Sequence, residues 1–134
     1  MYLFDTDVLT TLLKPRPPKL LRARIAKVPA SQQFTSTITI SEIVYGAHKS
    51  DRAEYHLHKL ETILLPAVNV ILFDAKAAYV TGEVRAYLEA KGQPLDFADL
   101  QIAGIALAND MTVVTGNEKH FARIPDLRIE NWLA

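Results

Sequence analysis

The sequence predicts an α/β protein, a three-layer α/β/α arrangement with a short, mostly parallel central sheet of four to five strands and helices on both faces. Three observations carry that prediction. Short runs of apolar and β-branched residues alternate with helical periodicity along all 134 residues. The chain opens on an apolar run, Met1-Tyr2-Leu3-Phe4, that stops abruptly at Asp5-Thr6-Asp7, as a doubly buried strand does on reaching the edge of a parallel sheet. Leu100 to Asn109 is rich in Ala and Ile and meets no charged residue until Asp110, so this helix is buried on nearly every side. One core is expected at this length, hence a single domain over residues 1–134, and no repeat or linker interrupts it.

The elements follow in order. After the first strand, Val8 to Leu13 has a short helical pattern that Pro15, Pro17 and Pro18 terminate, because proline lacks an N–H and clashes with the preceding turn. Pro18 suits the first turn of a second helix, running to about Lys27. Gln33 to Ile38 is rich in β-branched residues and reads as the second strand. Thr39 to Lys49 is helical, and Thr39-Ile40-Ser41-Glu42 matches a capping box, so a purely structural explanation is available for Glu42. Asp51 to Leu65 is a further helix, with Asp51 and Glu54 at capping spacing and Pro66 as its stop. Val68 to Leu72 is the third strand, and Asp74 caps a long helix to Lys91 that Gly92 ends. Pro94 to Asp99 leads into the buried helix, Met111 to Thr115 is the fourth strand, and Gly116-Asn117 is a turn. Asn117 to Phe121 makes a single helical turn, and Leu127 to Ile129 is a short last strand.

Composition narrows the function classes. With 49% hydrophobic and 22% charged residues the chain can bury an ordinary core. No apolar run reaches the length of a membrane span and the N-terminus lacks a signal pattern, so the expected location is cytoplasmic, with no membrane partner. Cysteine is absent, which excludes disulfides and thiolate metal sites; any metal must be held by oxygen or imidazole. The formal net charge of zero argues against gripping nucleic acid through bulk positive charge. A local basic run exists nevertheless. No acidic residue lies between Val8 and Ser41, while Lys14, Arg16, Lys19, Arg22, Arg24 and Lys27 cluster there; this is either a solvated helix face or a surface for contacting phosphates.

The acids suggest chemistry. Asp5 ends the first strand, Glu42 opens the helix after the second, and Asp99 opens the buried helix before the fourth, which Asn117 follows. If the first strand is central, these groups meet at one sheet edge, where ligands bind in open α/β folds. Carboxylates packed together repel unless a cation sits among them, and an all-oxygen set suits Mg²⁺ or Mn²⁺. Each acid alone has the bland alternative of a helix cap or turn residue.

Taken together, Tyr2-Leu3-Phe4-Asp5-Thr6-Asp7-Val8-Leu9, Thr35 to Ile43 with Gly46, Asp99-Leu100-Gln101-Ile102-Ala103-Gly104, Val113-Val114-Thr115-Gly116-Asn117 with His120-Phe121, and the closing Leu127 to Trp132 resemble the PIN domain, specifically VapC-type toxins of bacterial toxin–antitoxin pairs. The resemblance covers the whole chain. It implies a Mg²⁺- or Mn²⁺-dependent endoribonuclease with a parallel sheet, an RNA substrate, a cognate VapB-type antitoxin and a homodimer. Asp5, Glu42 and Asp99 match the principal metal-binding and catalytic positions. Asn117 falls where many members carry a fourth acid, Asp7 where many carry Asn, and His120 where many carry Asp. Thr6, Asp7, Ser36, Asp96, Thr115, Asn117 and His120 are therefore candidates for supporting the ligands or touching substrate. His120 has a structural alternative, as a lone His beside a Phe.

The implied reaction is metal-assisted hydrolysis of a phosphodiester. Two other readings compete. The opening Asp5-Thr6-Asp7 also resembles the nucleophile loop of haloacid-dehalogenase-type phosphatases, although that family's later Lys and paired acidic motif have no counterpart here. The off-pattern Asp7 and His120 also allow a catalytically weak PIN domain that serves only as a binding module.

Overall fold

Five short strands form one sheet: β1 (Tyr2–Phe4), β2 (Gln33–Ser36), β3 (Asn69–Ile71), β4 (Thr112–Val114) and β5 (Ile129–Glu130). In the computed structural model, which describes residues 1–134, their order is β3-β2-β1-β4-β5 and every neighbouring pair is parallel. The expectation of a mostly parallel sheet is thus met by a wholly parallel one. Leu3 sits opposite Phe34 on one side and Val113 on the other, which puts the first strand at the centre.

Seven helices flank the sheet: α1 (Thr6–Leu12), α2 (Lys19–Ala26), α3 (Thr37–Lys49), α4 (Ala53–Lys59), α5 (Ala75–Ala90), α6 (Phe97–Ala108) and α7 (Glu118–Phe121). Successive strand residues point to opposite faces and so build two cores. Leu3 and Val113 pack with Ala77, Leu88, Ile102 and Phe121, whereas Phe4 and Val114 pack with Val8, Leu21, Ile43, Leu64 and Trp132. The buried α6 lies against α5 at Gly104, where a Cβ would stand 1.9 Å from the Thr81 hydroxyl and 2.9 Å from the Ala77 carbonyl. Only glycine allows the two helices this approach.

Several boundaries differ from expectation for identifiable reasons. α1 starts at Thr6 rather than Val8, directly off Asp5. α3 starts at Thr37, and its cap is Ser36, whose hydroxyl accepts the Thr39 N–H at 3.0 Å, so the Thr39 to Glu42 capping box does not form. β-branched Thr37 and Ile38 favour a strand locally, but the earlier cap takes them into the helix. Asp51 caps nothing; α4 begins at Ala53 without a side-chain cap. It continues as a π-helical stretch over Leu60–Leu64 and a 3-10 turn over Leu65–Ala67. Pro18 is the residue before α2 rather than within its first turn, α6 begins at Phe97 rather than Leu100, and the last strand is shifted to Ile129–Glu130. Asp74 caps α5 by accepting the Ala77 N–H, and Gly92 ends it at φ 68°, both as the sequence indicates. No helix is long and apolar enough to cross a membrane.

Candidate active site

The chain runs from β1 outward through β2 and β3, then returns to place β4 on the other side of β1. A parallel sheet opens a crevice at such a reversal, beyond the carboxyl ends of the two strands that flank it. Asp5 is the residue after β1 and Thr115 the residue after β4. The Asp5 N–H still donates to the Val114 carbonyl at 3.0 Å, holding the acid at the rim of the sheet. The residue is 3% exposed. Oδ1 accepts the Thr6 N–H and Oδ2 accepts the Thr115 hydroxyl, each at 2.8 Å, and the Thr115 oxygen in turn accepts the Asn117 N–H at 2.9 Å.

The early start of α3 changes what Glu42 does. A residue in the second turn is beyond the free N–H groups at the helix start, so Glu42 is not a capping residue. Its Oε1 instead accepts the Thr6 hydroxyl at 2.5 Å. Thr6 therefore joins two acids, Asp5 through its N–H and Glu42 through its hydroxyl. Asp99 is in the first turn of α6, and its Oδ2 stands 3.7 Å from Nδ1 of the half-exposed His120.

Asp7 is the fourth acid here. Its Oδ2 accepts the Gly116 N–H at 2.9 Å, while Oδ1 is buried without a hydrogen-bond partner. Gly116 is needed for that contact, since a Cβ on it would lie 2.6 Å from Asp7 Oδ2. Sequence reasoning took Gly116 for a turn residue only; the signal available was its place directly after a strand that pairs with β1.

Burial and crowding set the electrostatics. The Asp5 carboxyl is pushed from its ordinary 3.8 up to about 7, first by loss of water. The Thr115 and Thr6 hydrogen bonds pull it down, and the charges of Asp7 and Asp99 push it up. Asp7 is raised mainly by burial. Asp99 is raised by burial, then by Asp96 and Glu42, with His120 opposing. Acids that raise one another share a negative potential that a cation would relieve.

The donor chemistry fits a hard divalent ion: oxygen-only side chains, surplus negative charge, and in Asp7 Oδ1 a buried acceptor with no donor. The acids surround the crevice rather than closing on a point. No three Asp, Glu or His side chains stand close enough together to hold an ion between them.

The other candidates divide. Thr6 and Thr115 touch the acids. Ser36 does not; it caps α3, donates to Thr39 Oγ1 at 3.2 Å, and so sets where the helix bearing Glu42 begins. Asp96 is exposed and reaches Asp99 through its charge alone. The Asn117 side chain is exposed and caps nothing. The residues of the basic run divide as well. Arg24 pairs with Glu130 at 3.3 Å and lies over Trp132, and Arg16, Lys19, Arg22 and Lys27 are exposed. Only Lys14 borders the cavity next to the acids, which Thr6 and Glu42 also line.

The PIN domain family model matches residues 2–127. The chain belongs to the PIN domain family. This PIN domain is 37% identical to the tRNA(fMet)-specific endonuclease VapC of Salmonella typhimurium strain LT2 over 98% of its own length and 97% of that protein. It is 35% identical to ribonuclease VapC2 of Rickettsia felis over 98% of each chain. Its fold superposes on the DNA-bound VapBC of Salmonella typhimurium with a TM-score of 0.90 at 37% identity, covering 98% of this chain and 97% of that one. VapBC2 of Rickettsia felis, bound to a fragment of its promoter DNA, gives a TM-score of 0.89 at 34% identity over 98% of each chain. Asp5-Thr6-Asp7 is therefore the opening motif of a PIN domain, not a haloacid-dehalogenase nucleophile loop.

Proposed function

We propose that this PIN domain is a Mg²⁺- or Mn²⁺-dependent endoribonuclease and the toxin of a toxin–antitoxin pair, working on RNA in the cytoplasm. The observation that carries the reading is the hydrogen-bonded chain Thr115–Asp5–Thr6–Glu42, which fixes two acids from distant parts of the sequence at one sheet edge, with Asp99 adjoining. Relatives named as a tRNA(fMet)-specific endonuclease at 37% identity and as a ribonuclease at 35% support it. Asp5, Glu42 and Asp99 would hold the ion by drawing closer together than they stand in the metal-free chain, and the ion when bound lowers the pKa of water and offsets charge building on the phosphate.

The protein's own contribution is positioning. Thr115 and the Thr6 N–H fix the Asp5 rotamer, and the Thr6 hydroxyl aims Glu42. The Gly116 N–H holds Asp7 through one carboxylate oxygen and leaves the other buried and free. His120, on the solvent side of Asp99, meets an incoming phosphate and offsets part of the repulsion from the acids. A VapB-type antitoxin is the partner, and exposed apolar side chains such as Leu72, Tyr79 and Phe97 supply surface for a homodimer.

The test is cleavage of total RNA with mapped ends, with Mg²⁺ and with EDTA. Cleavage at a restricted set of sites that disappears with EDTA is expected; absence of Mg²⁺-dependent cleavage rejects the proposal. The open spacing of the acids favours one competitor, a PIN domain that only binds. Antitoxin binding without cleavage under Mg²⁺ or Mn²⁺ would select it.

A further inference from the structure

A cavity of about 410 Å³ opens between α1, α3 and α4, and Thr6 and Glu42 are among the side chains that line it. It is thus continuous with the carboxylate crevice. Its floor is apolar, from Ile43 and Ala47, and Gly46 lies along it with open space where a Cβ would project. Its rim is cationic. The Arg52 guanidinium lies 3.9 Å over the Tyr55 ring, and Lys59 Nζ lies 5.1 Å from the same ring. Lys59 also donates to the Leu13 carbonyl and, at 3.3 Å, to the Tyr55 hydroxyl, which ties α4 to the end of α1. Neither Arg52 nor Lys59 takes part in any of the molecule's ion pairs.

We infer that this groove seats the nucleotide adjoining the scissile phosphate of a single-stranded RNA, with its base against the apolar floor and the Tyr55–Arg52 stack and its phosphate on the cationic rim. The assignment rests on the nuclease reading for the position of the scissile phosphate. Three features favour RNA. A strand with one phosphate among the acids must leave along a wall, and this wall begins at Glu42. Cations without carboxylate partners, set beside a negatively charged crevice, are placed for the next phosphates of a polyanion. An aromatic ring with a stacked guanidinium beside an apolar floor is the usual platform for unpaired bases, independent of their identity. An acidic amphipathic helix from a protein partner is the competing occupant.

The test is fluorescence anisotropy of a labelled, fully 2′-O-methyl RNA decamer of mixed sequence, in EDTA so that nothing depends on cleavage. Wild type should bind. Arg52→Ala and Tyr55→Leu should each weaken binding at least about fivefold, the scale of losing one stacked base. Arg52→Ala should also flatten the salt dependence by about 0.7 in log–log slope. Gly46→Leu is the second line of test: its Cβ meets nothing within 4 Å, so the chain folds with an equal or higher melting temperature while the leucine blocks the floor and weakens RNA binding. Asp5→Asn should bind the decamer at least as well as wild type. The inference is overturned if wild type does not bind, if Arg52→Ala and Gly46→Leu bind as wild type does, or if these variants lose an acidic helical peptide yet keep RNA. Because binding is read without metal, a wild-type chain that binds here but never cleaves would defeat the catalytic reading and leave the groove assignment standing.

Discussion

Asp5→Asn should abolish activity and at the same time stabilise the metal-free protein at alkaline pH. The Asp5 carboxyl is raised from 3.8 to about 7, so the folded state holds its proton more tightly than the unfolded chain. Its contribution to stability is complete below 3.8 and is lost as pH rises through about 7. That difference in proton affinity between the folded and unfolded chain corresponds to at most about 4 kcal/mol by pH 8. Asparagine cannot ionise and so does not incur that loss. It keeps an acceptor for the Thr6 N–H and presents its NH₂ to the Thr115 oxygen, an exchange that forfeits about 1 kcal/mol of hydrogen bonding. A net gain of about 2–3 kcal/mol, or about 7–10 °C in a chain of this size, is expected at pH 8. The gain should shrink steadily towards pH 5. The assay is thermal denaturation of both proteins in EDTA from pH 5 to 8.5, followed by the difference between them, since Asp7 and Asp99 are raised as well and shape each absolute curve. A variant no more stable than wild type at pH 8, or a difference that grows on acidification, would refute the reasoning.

Three further substitutions probe the supports. Thr6→Val removes the hydroxyl that Glu42 accepts but keeps the N–H to Asp5, so the cleavage rate should fall about tenfold with little change in melting temperature, measured on a fixed RNA. Gly116→Ala places a Cβ 2.6 Å from Asp7 Oδ2 and 3.1 Å from Leu133, displacing the acid; Mn²⁺ affinity should drop while circular dichroism stays native. Gly104→Ala drives a methyl into Thr81 and the Ala77 carbonyl, and urea unfolding should register a loss of about 2–3 kcal/mol. Thr81→Ala in the same chain should recover only part of it, because the backbone oxygen remains in the way.

Much of the fold was legible because it is governed by local pattern. The apolar run into Asp5 announced a buried strand, and the uncharged stretch from Leu100 to Asn109 announced a buried α6. The start of α3 was not legible. Ser36 and Thr39 are both good caps, β-branched Thr37 and Ile38 argue for strand, and only the observed hydrogen bond from the Thr39 N–H to Ser36 decides. That small shift matters, since it frees Glu42 from capping and delivers it to Thr6. Candidate acids could be named from residue type and position, but their spacing depends on strand order and side-chain rotamers, which no local pattern encodes. A charge run shows proximity in sequence and not partners, for a related reason: Lys14 to Lys27 are neighbours in the chain, yet Arg24 turns to Glu130 and Trp132 while Arg22 and Lys27 stay exposed. The cationic rim of the groove comes from Arg52 and Lys59, in a stretch the sequence offered only as a further helix.

Calorimetric titration of the purified chain with Mn²⁺ tests most directly whether Asp5, Glu42 and Asp99 act together on one ion. Wild type should bind at pH 7.5, and Asp5→Asn and Asp99→Asn should each abolish that heat while remaining folded. Unchanged Mn²⁺ binding in both variants would contradict the assignment.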